Sequence, residues 1–138
     1  MDPLNTNNNL LFKLVLLANI APDPAHRHNP DMISLIDIGA NLTHNSFDPD
    51  RSEVLDHAQA VGVERFIVTG TSVAESTRAL ELAREHPTKL FATAGIHPHH
   101  AKDFNKRSTE ALRKLAAYDE IVAIGECGLD FYRNFSPL

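Results

Sequence analysis

Four short apolar runs, each leading into a glycine, constrain this chain more than any other feature. Ser34 to Ile38, Arg65 to Thr69, Leu90 to Ala94 and Ile121 to Ile124 are dominated by β-branched, aromatic and aliphatic side chains, and Gly39, Gly70, Gly95 and Gly125 follow them. Amphipathic stretches separate the runs, so the pattern reads as β-strands alternating with helices in a parallel sheet. The helix starts are marked. Asp48 precedes Pro49 at a first helical position, and Ser72-Val73-Ala74-Glu75 has the form of a capping box. Gly62 and Pro87 mark the corresponding ends. Val54, Leu55, Ala58 and Val61 give the first helix an apolar stripe, Ala79, Leu80, Leu82 and Ala83 do so for the second, and a third helix is expected from about Ser108 to Ala117. Right-handed crossovers then bring the carboxyl ends of all four strands to one side of one sheet.

The remaining composition narrows the class. With 43% hydrophobic residues, one cysteine and no tryptophan in 138 residues, the chain is an ordinary globular one with a single domain. Thirteen Lys+Arg against 18 Asp+Glu leave a net charge of −5, so any nucleic-acid contact must be local rather than a broad basic face. Cys127 has no partner for an internal disulfide, which fits a reducing compartment and makes the cytoplasm the expected location. Residues 1–31 differ from the rest: an Asn-rich run from Asn5 to Asn9, an apolar stretch from Leu10 to Ile20 broken by Lys13, then Ala21-Pro22-Asp23-Pro24. That stretch is far short of the roughly 20 residues of a membrane span and lacks the basic start of a signal peptide. It reads as an accessory extension before a domain covering residues 32–138.

Chemistry in parallel βα folds sits at the carboxyl ends of the strands, and polar residues recur there. Asp37 and Asn41 follow the first run, His97 lies in Gly95-Ile96-His97-Pro98-His99, and Glu126 lies in Gly125-Glu126-Cys127-Gly128-Leu129-Asp130. Carboxylates and an imidazole gathered from separate strands are what a divalent cation needs. Glu126 is either such a ligand or one half of a structural ion pair, because a buried carboxylate needs a partner. His97 is either functional or a turn cap bonded to backbone, with His99 and His100 as parts of a polar loop. Asp130 and Arg133 read as a surface ion pair, or Arg133 as a phosphate donor. Cys127 reads as a small buried hydrophobe. His44, His57 and His86 receive no role, and no phosphate loop, dinucleotide fingerprint or nucleophile elbow is present.

Three segments in order, Asp37-Ile38-Gly39-Ala40-Asn41-Leu42-Thr43, Gly95-Ile96-His97-Pro98-His99 and Gly125-Glu126-Cys127-Gly128-Leu129-Asp130-Phe131, resemble the TatD family of metal-dependent deoxyribonucleases. The resemblance runs from Met32 to about Phe135. It implies a TIM-type (β/α) barrel that hydrolyses phosphodiester bonds in DNA, with 3′–5′ exonuclease character on single strands in some members. It further implies that Glu126 is a metal ligand for Mg2+, Mn2+ or Zn2+ and that His97 lines the site near substrate phosphate, while Asp37, Asn41, Asp130 and Arg133 bind substrate or support the site. Many relatives carry a His-x-His ligand pair where Gly39 and Asn41 stand here. Residues 32–138 amount to the N-terminal half of a barrel, which typically needs about 250 residues. The expectation is therefore a truncated domain with little activity alone and open edges through which it self-associates. Two other readings stand beside it: a catalytically dead interaction module, and another amidohydrolase-like metal hydrolase acting on a small amide or ester.

Overall fold

All four predicted strands form, and they lie side by side in chain order. The computed structural model describes residues 34–128, 130–133 and 135–136, so the stretch read as an N-terminal extension lies outside the described residues. Strands β1 (Leu35–Ala40), β2 (Val63–Val68), β3 (Leu90–Ala94) and β4 (Ile121–Ile124) make one parallel sheet in the order β1-β2-β3-β4. Helices α1 (Arg51–Ala60), α2 (Val73–Glu85) and α3 (Lys106–Leu115) connect them. The last two strands match the sequence reading residue for residue. The first starts one residue later than the run and continues through Gly39 to Ala40, with Asp37 inside the strand.

The core forms where α2 lies on the middle of the sheet. Val68, Leu90, Ala92 and Ala94 from β2 and β3 are buried together with Ala79, Leu80, Leu82 and Ala83, so the predicted stripe of α2 is its buried face. Leu55 carries the burial of α1, and Leu115 and Ile121 close the β4 side. Val61, expected in the α1 stripe, lies beyond the helix end and is exposed. There the chain reverses at Gly62, whose φ of 100° favours glycine, and the Gly62 carbonyl accepts the Leu35 amide at 2.8 Å to start β1 beside β2.

Two helix starts are displaced from the sequence reading. Asp48-Pro49 does not open α1: Asn45–Phe47 form a 3-10 turn capped by His44, the Asp48 carboxylate pairs with Arg51, and Asp50 takes the N-cap position. Arg51 binds its own first turn to the preceding loop by donating from Nε to the Leu42 carbonyl at 2.9 Å. At α3 the start moves two residues earlier, because the Asn105 side chain accepts from the amides of Arg107 and Ser108 while Ser108 Oγ accepts the Asn105 amide. Ser108, read as the opening residue, is thus the third residue of a helix that Asn105 caps. At α2 the expected Ser72 cap is present, with Oγ accepting the Glu75 amide at 3.1 Å. No helix among the described residues is long and apolar enough to cross a membrane.

Candidate active site at the strand ends

The carboxyl ends of β2, β3 and β4 are tied to one another by backbone hydrogen bonds that run beyond the strands. Gly125 donates to Ala94 O at 3.0 Å, Ile96 to Glu126 O at 2.9 Å, Glu126 to Gly70 O at 3.3 Å, and His97 to Thr71 O at 2.8 Å. Three strands therefore fix the backbone at both His97 and Glu126. The approach is close enough to require glycine at position 95, where a Cβ would sit 2.2 Å from the Gly125 carbonyl carbon and 2.3 Å from the Glu126 oxygen. Ser76, fully buried on α2, supports the same point: its Oγ accepts the Gly95 amide at 3.1 Å and donates to the Ser72 carbonyl at 2.7 Å.

On this frame His97 Nε2 stands 3.5 Å from Glu126 Oε2. The His97 ring also caps the 3-10 turn Pro98–Asp103, with Nδ1 accepting the His99 amide at 3.1 Å. An amide can only donate, so Nδ1 carries a lone pair, and the neutral ring has its proton on Nε2. The turn-cap reading of His97 holds. One nitrogen caps a turn, and the other presents an N–H beside the Glu126 carboxylate, which is partly open to solvent.

A second cluster adjoins the first. His99 Nε2 lies 3.0 Å from Asp130 Oδ2, and its ring meets the His97 ring edge-on with centroids 4.2 Å apart. Asp130 Oδ1 accepts the amides of Tyr132 at 2.9 Å and Arg133 at 3.1 Å. These two amides, followed by the His99 contact, hold the Asp130 carboxyl below the usual carboxylate range. The expected Asp130–Arg133 side-chain pair gives way to this arrangement, since the carboxylate oxygens already have partners. Arg133 Nη1 instead lies 3.3 Å from His99 Nε2. In the sequence His99 is one polar residue among several, and the signal that sets it apart is its spacing, because Pro98 between two histidines starts a tight turn that carries both rings.

The remaining expectations fare differently. Asp37 is exposed on β1, its Oδ1 accepting the Gly39 amide at 2.9 Å, and Asn41 is exposed just past the strand. Both lie on or just past the strand farthest in the sheet from β4, and neither joins the His97–Glu126 pair through any hydrogen bond among the described residues. Cys127 is exposed rather than buried, because it lies past the end of the edge strand β4. It lines an apolar groove of about 570 Å3 with Ile96, Phe104, Leu112 and Ile124, and Glu126 also contributes to the wall. Among the described residues no three His, Cys, Asp or Glu side chains converge as a metal-binding group. Glu126 offers one carboxylate, and a protonated Nε2 on His97 is not a ligand. The described residues alone do not make a complete metal site, contrary to the expected convergence of Asp37, His97 and Glu126.

Comparison with known proteins gives a consistent answer. A family model described as TatD related DNase matches residues 36–138. A 3′-5′ ssDNA/RNA exonuclease TatD from Erwinia tasmaniensis is 50% identical over 102 residues, covering 74% of this chain and 39% of that protein. The protein of the same name from Cronobacter turicensis is 51% identical over 102 residues, covering 74% and 38% respectively. Among solved structures, a TatD homologue from Escherichia coli K12 has a TM-score of 0.64 at 30% identity, covering 72% of this chain and 39% of that one. A TatD-family hydrolase from Entamoeba histolytica has a TM-score of 0.63 at 28% identity, covering 76% and 41%. The chain thus spans about two fifths of the length of the relatives it matches.

Proposed function

The chain belongs to the family of TatD-related DNases, and from that premise we propose that it carries the β1-to-β4 share of a nuclease site acting on single-stranded DNA or RNA from the 3′ end. Its sheet of four parallel strands with alternating helices is part of the TIM-type barrel of that family. TatD-family nucleases are metal-dependent in general. The observation that carries the proposal is the pairing of Glu126 with His97 at the ends of adjacent strands, with Nε2 and Oε2 3.5 Å apart on backbone that three strands hold. In this reading Glu126 gives one carboxylate to a divalent cation, Mg2+, Mn2+ or Zn2+, and further donors are needed beyond those the described residues supply. His97 directs its Nε2–H toward a non-bridging phosphate oxygen of the substrate. Asp37 and Asn41 support the mouth from β1, Asp130 and Arg133 from beyond β4. The single cysteine fits a reducing interior, and we place the protein in the cytoplasm on that ground.

Because one carboxylate is a poor hold on a cation, the described residues on their own are expected to support low nuclease activity. An exonuclease assay on a labelled single strand, titrated with manganese or magnesium, tests the assignment with Glu126→Ala as the control. Weak activity abolished by the substitution supports it; activity that survives the substitution removes Glu126 from the site. A second reading, a module that associates through its open sheet, draws on the exposure of Leu35 and Ile38 on β1 and Ile124 on β4, and on the groove beside β4. Light scattering after size exclusion distinguishes the two, since a monomer at all concentrations excludes association.

A further inference from the structure

The β4 side of the sheet carries apolar surface that nothing among the described residues covers. The loop after β3, helix α3 and the chain leaving β4 border the groove of about 570 Å3, and its large side chains are poorly shielded: Phe104 is 56% exposed and Ile124 44%. Ile96, Leu112 and Ala116 continue the same surface. Of the residues that line the groove only Arg113 and Glu126 carry charge, so it favours an apolar occupant over water. Its volume takes several leucine-sized side chains.

The sequence supplies an occupant of that kind. Leu10 to Ile20 is apolar except for Lys13 and Asn19, and it precedes the described residues. A run of this composition is costly to leave in water, because each buried leucine or valine side chain is favoured over an exposed one. Lys13 is the one cation in the stretch, and Glu126 is the one anion among the residues that line the groove. Distance permits the meeting. Residues 21–33 join the stretch to the start of β1 and reach roughly 43 Å when extended. The groove lies three strand spacings from β1, about 14 Å, and one strand length along the sheet, about 17–20 Å. A tether of that length also decides between occupants, since it presents the stretch to its own groove at a concentration on the order of millimolar, well above that of a second copy in dilute solution.

We propose that the stretch Leu10 to Ile20 docks in the groove between α3 and the end of β4 of its own chain, covering Phe104, Ile124 and Cys127. The proposal does not rest on the nuclease reading. Cys127 reports on it directly, being the single cysteine of the chain, exposed, and part of the groove wall. In the full chain its thiol should react with an aromatic disulfide reagent about tenfold more slowly than in the Leu14→Asp, Leu17→Asp variant, the protection given by a docked population of about 90%. Those substitutions touch no residue of the sheet, and an unchanged far-UV spectrum and melting temperature show that it is intact. A second measurement needs no reactive thiol in the groove. With a nitroxide on Asn19→Cys in a Cys127→Ser background, the amide resonances of Leu112, Ala116 and Ile124 should broaden while those of Glu53 and Asp56 on α1 stay sharp. Equal thiol reactivity in wild type and the double variant overturns the inference, as does a nitroxide that leaves the groove amides sharp. Mixing isotope-labelled protein lacking the nitroxide with unlabelled protein carrying it identifies the other occupant: groove broadening in that mixture assigns the groove to the stretch of a second copy and likewise overturns docking within one chain.

Discussion

Replacing Gly95 with alanine tests the frame that holds the site. The added Cβ would lie 2.2 Å from the Gly125 carbonyl carbon and 2.3 Å from the Gly125 and Glu126 oxygens, where ordinary contact begins near 3.4 Å. All three obstacles are backbone, so no side chain can swing aside, and the ends of β3 and β4 must part by about 1 Å. That parting stretches the 2.9 Å bond from Ile96 to Glu126 and the 3.0 Å bond from Gly125 to Ala94. Overpacking costs about 1–3 kcal/mol, and weakening two backbone bonds adds about 1 kcal/mol. A total near 3 kcal/mol corresponds to a fall in melting temperature of roughly 12–20 °C for a domain of this size. Circular dichroism melting measures it, with Gly39→Ala as the control, since a Cβ there meets nothing within 4 Å. A Gly95→Ala protein that melts within about 3 °C of wild type would refute the close-approach argument, and with it the claim that the β3–β4 contact positions Glu126.

Three further perturbations probe the supports of the same region. Ser76→Ala leaves the buried Gly95 amide without the acceptor it now has at 3.1 Å, so urea unfolding should show a loss of about 1–3 kcal/mol; a loss under 0.5 kcal/mol would mean that the amide finds another partner. Asn105→Ala removes the side chain that accepts two amides at the start of α3, and a loss of about 1 kcal/mol is expected, with Asn105→Ser recovering most of it. Acidification reads the Asp130 turn. Because folding lowers the Asp130 pKa, the turn contributes stability above the unfolded carboxylate value of about 3.9 and loses it as the pH falls through the lower folded value. Carbon-detected NMR titration of the Asp130 carboxyl should give a midpoint below 3.9, and a midpoint at or above that value would show that the two amide bonds do not form in solution.

The elements were legible because their causes are local. A run such as Leu90–Ala94 announces a strand through its own side chains and the glycine after it, and Ser72 announces α2 because a hydroxyl three residues before Glu75 meets that amide in any helix. Helix starts went wrong only where two local candidates competed: Asp48 against Asp50, and Ser108 against Asn105. In each case the loser was drawn into another bond, Asp48 with Arg51 and Ser108 within the cap itself.

The site was legible only as residue types at strand ends. That His97 and Glu126 come to the same end of the sheet was legible because parallel strands send their carboxyl ends to one side. That His97 Nε2 stands 3.5 Å from Glu126, that Asp130 serves His99 rather than the Arg133 side chain, and that Asp37 bonds to its own strand depend on distances between segments some 30 residues apart or on one turn of backbone. Sequence thus determined the sheet, its polarity and the candidate side chains, since those follow from periodicity and turn chemistry. Tertiary structure alone decided which polar atoms face one another, because a hydrogen bond switches on or off over less than an ångström and no local pattern encodes that separation.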